Sequence, residues 1–436
     1  MPQYSNGIPA PTEQQLSPAA PYFDLRIGQA NPVQIPQAQY FRGATHVMYA
    51  HGVIGSMTID LFDPTGAVLE AIIFASDGLG TVRYGWVDGP VTDAREFSIV
   101  RYRPRFERHG MTIQLVIADR QAIVTPKIPS PRSFPPTGGT AHPLRISDIV
   151  RFLLIEDGYD PARIHVEPTA PLHVDPTRAD AVFRQEGVAN QFFILTQLAP
   201  RAVAEATGQS GYNLHFRGDE AWFAPYSLTP KIKRKYTYPR QATNALVTSW
   251  SPNLDHLTFL ALGGGNLVTR AYDPGEAAYY QRVVSDSGLL ASVGAPLPST
   301  NLLSAALATA QAHKQMHVPY GLLEQTSAWA AAKASRARQT LLSGTLETVG
   351  DPGVYPMDYV DLTILRPDEQ PHYSSGGYFV TGVQHTIQVG TFRSVMALVS
   401  ALGVGVDQNG QPLQVSPQAG DSSSTTGAVV ESEVLP

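Results

Sequence analysis

Two runs near the end of the chain decide its fold class: Tyr359-Val-Asp-Leu-Thr-Ile-Leu365 and Tyr378-Phe-Val-Thr-Gly-Val-Gln-His-Thr-Ile387. Both alternate side-chain character at period two, as half-buried strands do. In the second run this alternation predicts that Phe379, Val383 and Ile387 share one face. Gly376-Gly377 opens that strand. Gly390 sits between Val389 and Thr391, where a hairpin needs positive φ without a Cβ penalty. The next strand, Phe392 to Leu402, then pairs back, so Gln339 to Leu402 reads as a small antiparallel barrel of four strands.

Working outward, the 436 residues suffice for about two to four domains. Apolar residues make up 43% and charged ones only 16%, which predicts a soluble protein whose surface leans on uncharged polar groups. A net charge of −6 carries no overall phosphate-neutralising field, so specific nucleic-acid binding is not expected. The absence of cysteine excludes disulfides, thiolate nucleophiles and cysteine-ligated metals. Residues Met1 to Pro21 hold no Lys or Arg and no continuous apolar run, so no secretory signal and no membrane insertion are expected.

Taken in order, residues 1–21 are rich in Pro, Gln and Ser and read as a disordered arm. Residues 22–125 carry strand patterns, among them Phe23, Leu25 and Ile27, then Met57, Ile59 and Leu61 before the turn Asp63-Pro-Thr-Gly66, and are assigned to a first barrel. Six prolines and two adjacent glycines make residues 126–143 a linker. An αβ middle domain follows over 144–228. Its first helix is capped by Ser147, buries Ile149, Val150, Leu153 and Leu154, and stops at Gly158. A second helix over Asn190 to Gly208 is interrupted by Pro200, and Gly211 opens a hairpin of Tyr212–Phe216 with Ala221–Phe223. Residues 229–298 are β-rich, with Ala245–Trp250 and His256–Leu262 read as a strand pair. Residues 299–338 form a helical insertion of two alanine-rich helices broken by Pro319. The second barrel occupies 339–402, and 403–436 is a disordered tail whose end, Ala428-Val-Val430 and Val434-Leu435, could act as a docking peptide.

Glu347, Asp351, Asp358 and Asp361 cluster in sequence, as a pair of hydrolytic carboxylates would, but turn and strand positions account for them better. His313 and His317 fall at i and i+4 of the expected helix, a spacing that metal sites use, without two further ligands. Lys231-Ile-Lys-Arg-Lys235 is read as a solvated strand or loop in preference to a docking patch for an acidic partner. Gly263-Gly-Gly265 lacks the Lys-Ser/Thr of a phosphate loop. His385 is expected to be half-buried and to donate a ring proton to a backbone carbonyl. No catalytic residue, cofactor or metal is assigned.

The order Gly344, Gly350-Asp351-Pro352, Pro356-Met357-Asp358, Gly377-Tyr378, Val383, His385 and Gly390 resembles the baseplate hub, or late-control, proteins of contractile-tailed phages, whose fold recurs in the hub portion of type VI secretion spike proteins. Met357 stands where that family usually has glycine, and Gly377 and Tyr378 are adjacent where the family spaces them. The resemblance implies an α+β, mainly β fold of two small tail-tube-like barrels with an αβ middle domain and helical insertions. It implies a non-enzymatic homotrimer in the virion, adapting a sixfold tail tube to a threefold spike or tip around a central channel. Tail tube, spike or tail-tip, baseplate and tape-measure proteins would be its partners. It also implies that the edges at Tyr22–Ile27 and Phe392–Leu402 pair between neighbouring barrels. The alternatives are a virion-associated cell-wall hydrolase and a glycan-binding tail-tip module using Trp222 or Trp250.

Overall fold

Ser56-Met-Thr-Ile-Asp-Leu-Phe-Asp63 places Met57, Ile59 and Leu61 in the core and leaves Thr58, Asp60 and Phe62 half-exposed, as period-two patterning dictates for a sheet with one covered face. The computed structural model describes residues 20–28, 32–50, 55–74, 78–119, 130–134, 144–172, 183–206, 212–217, 220–226, 231–238, 246–254, 266–273, 278–285, 315–318, 342–366, 372 and 374–400.

The first unit comprises β1 (Pro21–Ile27), β2 (Val33–Ile35), α1 (Gln37–Tyr40), β3 (Phe41–Tyr49), β4 (Ser56–Asp63), α2 (Ala67–Phe74), β5 (Leu79–Trp86), β6 (Arg95–Glu107) and β7 (Gly110–Asp119). Its strands are ordered β2-β1-β5-β6-β7-β4-β3. The expected turn at Asp63 also starts a helix that the sequence reading lacked. The Asp63 carboxylate accepts from the backbone N–H groups of Gly66, Val68 and Leu69 at 2.8–3.0 Å, so it satisfies donors that the first turn of α2 leaves open.

The middle unit holds β8 (Arg132–Phe134), β9 (Leu144–Arg145), α3 (Ile146–Glu156), β10 (Ile164–Val166), β11 (Pro171–Leu172), β12 (Phe183–Gln185), α4 (Asn190–Phe193), β13 (Asn213–Arg217) and β14 (Glu220–Ala224). Ile149, Val150, Leu153 and Leu154 are buried and Gly158 has φ of 91°, as expected. Ser147 does not cap α3. It lies inside the helix, where its Oγ accepts from the Thr169 N–H at 3.3 Å. Past α4 the chain continues as a π turn and a 3-10 turn and leaves helical geometry after Arg201, because Pro200 has no N–H to donate to a carbonyl of the preceding turn. Within the Pro/Gly stretch, β8 pairs with β12 and buries Phe134 in this unit's core.

The second β unit contains β15 (Ile232–Tyr238) and β16 (Val247–Leu254), then β17 (Asn266–Asp273), β18 (Ala278–Ser285) and β19 (Gln315–Val318), and finally β20 (Leu342–Val349), β21 (Tyr359–Ile364), β22 (Gly376–Gln388) and β23 (Thr391–Ser400). β16 pairs antiparallel with β20, and the strand expected beside it, His256–Leu262, lies outside the described residues. Two expectations are corrected here. Gln315–Val318, expected to be largely helical, is a strand parallel to β17, since the hydrogen bonds of that small sheet override a weak helical preference. The rest of the helical insertion, like residues 1–19 and 401–436, lies outside the described residues.

The second correction concerns the shared face of β22. A bulge between Val380 and Gly382 shifts the register, so Tyr378, Val380 and Val383 enter one core while Phe379 turns the other way to Tyr226 and Tyr359. The class, α+β and mainly β, is as expected, but the two β units do not close separately. β22 pairs with β21 over Gly376–Phe379 and then with β3 over Gly382–Gln388, which fuses both units into one 13-stranded sheet. No closed ring of strands is present among the described residues. The edges expected to be open are covered within the chain, because β1 lies between β5 and β2, and β23 between β22 and β20.

Candidate assembly surface and the buried seam

Where β3 meets β22, His46 and His385 are direct cross-strand partners, with ring centroids 6.4 Å apart and both rings buried. His46 Nδ1 lies 2.7 Å from the Tyr84 hydroxyl, and His385 Nδ1 lies 2.8 Å from Ser394 Oγ. His385 Nε2 faces the Val354 carbonyl without reaching hydrogen-bond geometry, so this ring is fully buried where half-burial was expected. Burial, reinforced by Arg95 and opposed by Asp351, pushes the His385 imidazole down to about 3. Burial, then Arg95 and His385, holds His46 well below its ordinary value. Asp119 is raised to about 6 by burial, which the charge of Arg95 only partly offsets.

The network runs on from Ser394, whose Oγ accepts from the Asp351 N–H at 2.9 Å. Asp351 accepts from Arg234 Nε at 2.7 Å and Nη2 at 3.2 Å, and from the Tyr236 hydroxyl at 3.0 Å. The basic run leads into β15 with Lys231 and Lys235 exposed, as a solvated strand would place them, while Arg234 turns inward to a buried carboxylate. Asp351, Ser394 and His385 are each fully buried, so this group holds the fold and offers nothing to a substrate.

The other carboxylates are dispersed in the same manner. Asp358 is buried against Arg217 at 3.2 Å and accepts from the Tyr355 N–H. Glu347 pairs with Arg393 at 2.5 Å, and the half-buried Asp361 carboxyl is raised by burial. His313 lies outside the described residues and His317 sits on β19, so no helical face joins them. Among the described residues no three His or carboxylate groups are arranged to hold a metal. Trp222 stacks on His165 at 4.1 Å, and Trp250 donates to Ser374 Oγ at 2.9 Å, so neither presents a free aromatic platform. Met357 adopts φ of 72°, a left-handed conformation that explains the usual glycine at this point of the motif.

The seam joins four strands of each unit into an uninterrupted run, β16-β20-β23-β22-β3-β4-β7-β6. On its core face one row reads Tyr102, Leu115, Ile59, Ala44, Ile387 and Phe392. The row beside it on the opposite face reads Arg101, Val116, Thr58, Thr45, Thr386 and Arg393. One face is therefore a hydrophobic core, and the other is polar, with threonines across the seam and an arginine at each end of the row.

The run ends at two strands with open edges. β16 has no further partner among the described residues, and β5 covers β6 only over Arg95–Ser98. Beyond the bulge at Val100, Arg101-Tyr-Arg-Pro-Arg-Phe-Glu107 is exposed at every residue and paired only with β7. From the sequence, Glu96–Pro104 reads as a strand that ends at the proline, three residues short of the end of β6. The strict alternation of arginine with Tyr102, Pro104 and Phe106 was the available signal, and a proline inside such a pattern marks an edge strand.

The fold as a whole is similar to that of solved tail proteins. The tail protein from Neisseria meningitidis MC58 aligns over 90% of this chain and 99% of its own, with a TM-score of 0.54 and 11% identity. The 43 kDa tail protein of prophage MuSo2 from Shewanella oneidensis aligns over 88% and 99%, with a TM-score of 0.53 and 10% identity. An Escherichia coli component of the type VI secretion system aligns over 83% and 73%, with a TM-score of 0.47 and 9% identity. The fold likeness rests on the first two. No protein-family model and no curated protein sequence matches the chain.

Proposed function

We propose that this chain is a structural tail protein that assembles as a homotrimeric hub in the virion, matching a sixfold tail tube to a threefold spike or tip. The observation that carries this reading is the fused sheet: each chain contributes two β units side by side through β3 and β22, and among the described residues the eight-strand run ends in two open edges, β16 and the outer half of β6. An edge-to-edge contact between β16 of one copy and β6 of the next is heterologous, and such contacts close into rings when the rotation permits. Three copies then place six β units around one axis. The face carrying Thr45, Thr58, Thr386 and Gln384 lines the channel, where uncharged polar groups let a passing polymer slide without strong binding. The tail tube, a spike or tip, and baseplate and tape-measure proteins are the partners in this reading. It includes no catalytic activity; Glu347, Asp351 and Asp358 are each paired with an arginine. Residues 22–125, 144–228 and 339–402 are its three domains, with 229–298 and 299–338 as additions to the last.

Native mass spectrometry across a concentration series tests it. The expected species has three times the 47.1 kDa chain mass and is ring-shaped by electron microscopy. A monomer that persists at high concentration, and when mixed with tube and spike proteins, would overturn the reading.

A further inference from the structure

The outer half of β6 leaves a row of backbone N–H and C=O groups without a strand partner among the described residues, flanked by arginine on one side and apolar groups on the other. Through their β7 partners, Tyr102, Pro104 and Phe106 lie on the same face as buried Leu115, Ile113 and Met111. Tyr102 is nevertheless 40% exposed and Phe106 78% exposed, so the apolar face overhangs the core. Arg101, Arg103 and Arg105 occupy the other face, and among the described residues only Arg105 of these has an acidic neighbour, Glu107 at 3.9 Å. An exposed strand edge of this length is a template for pairing, and natural proteins cover such edges.

The chain carries a segment complementary to both faces. In Ala428-Val-Val-Glu-Ser-Glu-Val-Leu435, Glu431 and Glu433 alternate with Val430, Ser432 and Val434. Laid along β6 as a strand, this segment sets its two carboxylates against the arginine row and its valines against Tyr102, Pro104 and Phe106. Reach agrees as well. From β23, which ends at Ser400, five inter-strand steps and a shift along the strand separate the chain from Arg103, a span of about 30 Å. The roughly 27 residues of 401–427, mainly Gly, Ser, Thr and Gln, have an r.m.s. span of about 30 Å as a linker of that composition. A linker matched to its span gives the largest effective concentration, on the order of millimolar.

We infer that residues 428–435 add as an extra strand to the open edge of β6 in the same chain, covering it in the free subunit. The tail and a neighbouring subunit then compete for this edge, so the tail is a removable cover that yields when the ring of the proposed function closes.

The absence of native cysteine makes the test direct. The full chain is prepared with Arg103→Cys combined in turn with Glu431→Cys and Glu433→Cys, and with Asp421→Cys in the linker as a control. Mild oxidation of dilute protein is followed by mass mapping of the linked peptides. The expected result is a disulfide within one chain, forming in one of the two tail variants at least about tenfold faster than in the control and independently of protein concentration. Reversing the arginine row with Arg101→Glu and Arg105→Glu should slow that reaction by roughly threefold or more, at modest cost per surface ion pair. Linkage between two chains, or within-chain linkage no faster than in the control, overturns the proposal. Because the reaction is read on the free subunit, its failure is distinct from a failure to trimerise.

Discussion

At the scale of single residues, the buried seam makes stability depend on pH. His385 titrates near 3 in the folded chain and near 6.5 when unfolded, and His46 is displaced in the same direction. As the pH falls below about 6.5 the unfolded chain takes up these protons first, so stability is lost from there down towards pH 3. Asp119 acts oppositely: its folded value of about 6 exceeds the unfolded one, so it contributes stability as pH falls from 6 towards 4. The groups facing the histidines are Arg95, Tyr84, Asp119 and Asp351. Urea midpoints from pH 7 to 4 should show His385→Gln losing less stability on acidification than the parent, by about 1.4 kcal/mol per pH unit. Equal slopes would remove the histidine from this account. The Arg234–Asp351 pair gives a second test. Asp351→Ala strands a buried guanidinium and should cost about 3–5 kcal/mol in equilibrium unfolding, whereas Arg234→Met with Asp351→Leu should cost much less.

At the scale of elements, β22 organises the second unit. Its bulge near Thr381 lets one strand pair with β21 at its start and β3 at its end, handing its side chains from one core to the next. The turn before β21 carries a cost in return. Met357 sits at φ of 72°, with its N–H donating to the Val380 carbonyl at 2.7 Å, so the hydrogen bond holds a conformation that a side chain disfavours. Met357→Gly removes about 1–2 kcal/mol of left-handed strain and adds unfolded-state entropy, so a net gain of up to about 1 kcal/mol is expected by denaturant titration. A loss of stability would mean that the Met357 side chain contributes packing that outweighs the strain. Gly377 is constrained in the opposite sense, since a Cβ there would lie 1.7 Å from the Tyr359 hydroxyl.

At the scale of the whole molecule, the two β units share cores as well as strands. Leu246, Ile387 and Phe392 of the second unit pack into the first unit's core, Met48 of the first packs into the second's, and the Trp86 indole donates to the Gly350 carbonyl at 2.7 Å. Neither unit keeps a complete core when the other opens. Amide hydrogen exchange should therefore give β4 and β23, on opposite sides of the seam, opening free energies within about 1 kcal/mol of each other. A gap of several kcal/mol would show that they fold independently. The middle unit has its own apolar core and docks through Arg217 to Asp358 and Tyr226 to Phe379, so it is free to open separately.

The sequence by itself determined the strands of the last ordered stretch, the hairpin turn at Gly390, the core face of α3 and the β-rich class, because period-two and period-3.6 patterning and positive-φ glycines are local signals. It also carried the motif in which Met357 replaces glycine, whose backbone angle explains the usual residue. Only the tertiary structure decided the rest. The pairing of β3 with β22 joins residues more than 300 positions apart, and the bulge that reverses Phe379 depends on that pairing. The inward turn of Arg234 depends on a carboxylate 117 residues away. No local pattern encodes which strand meets which, because hydrogen bonding along a strand edge is the same for every sequence, and selection among partners rests on the cores that form on either side.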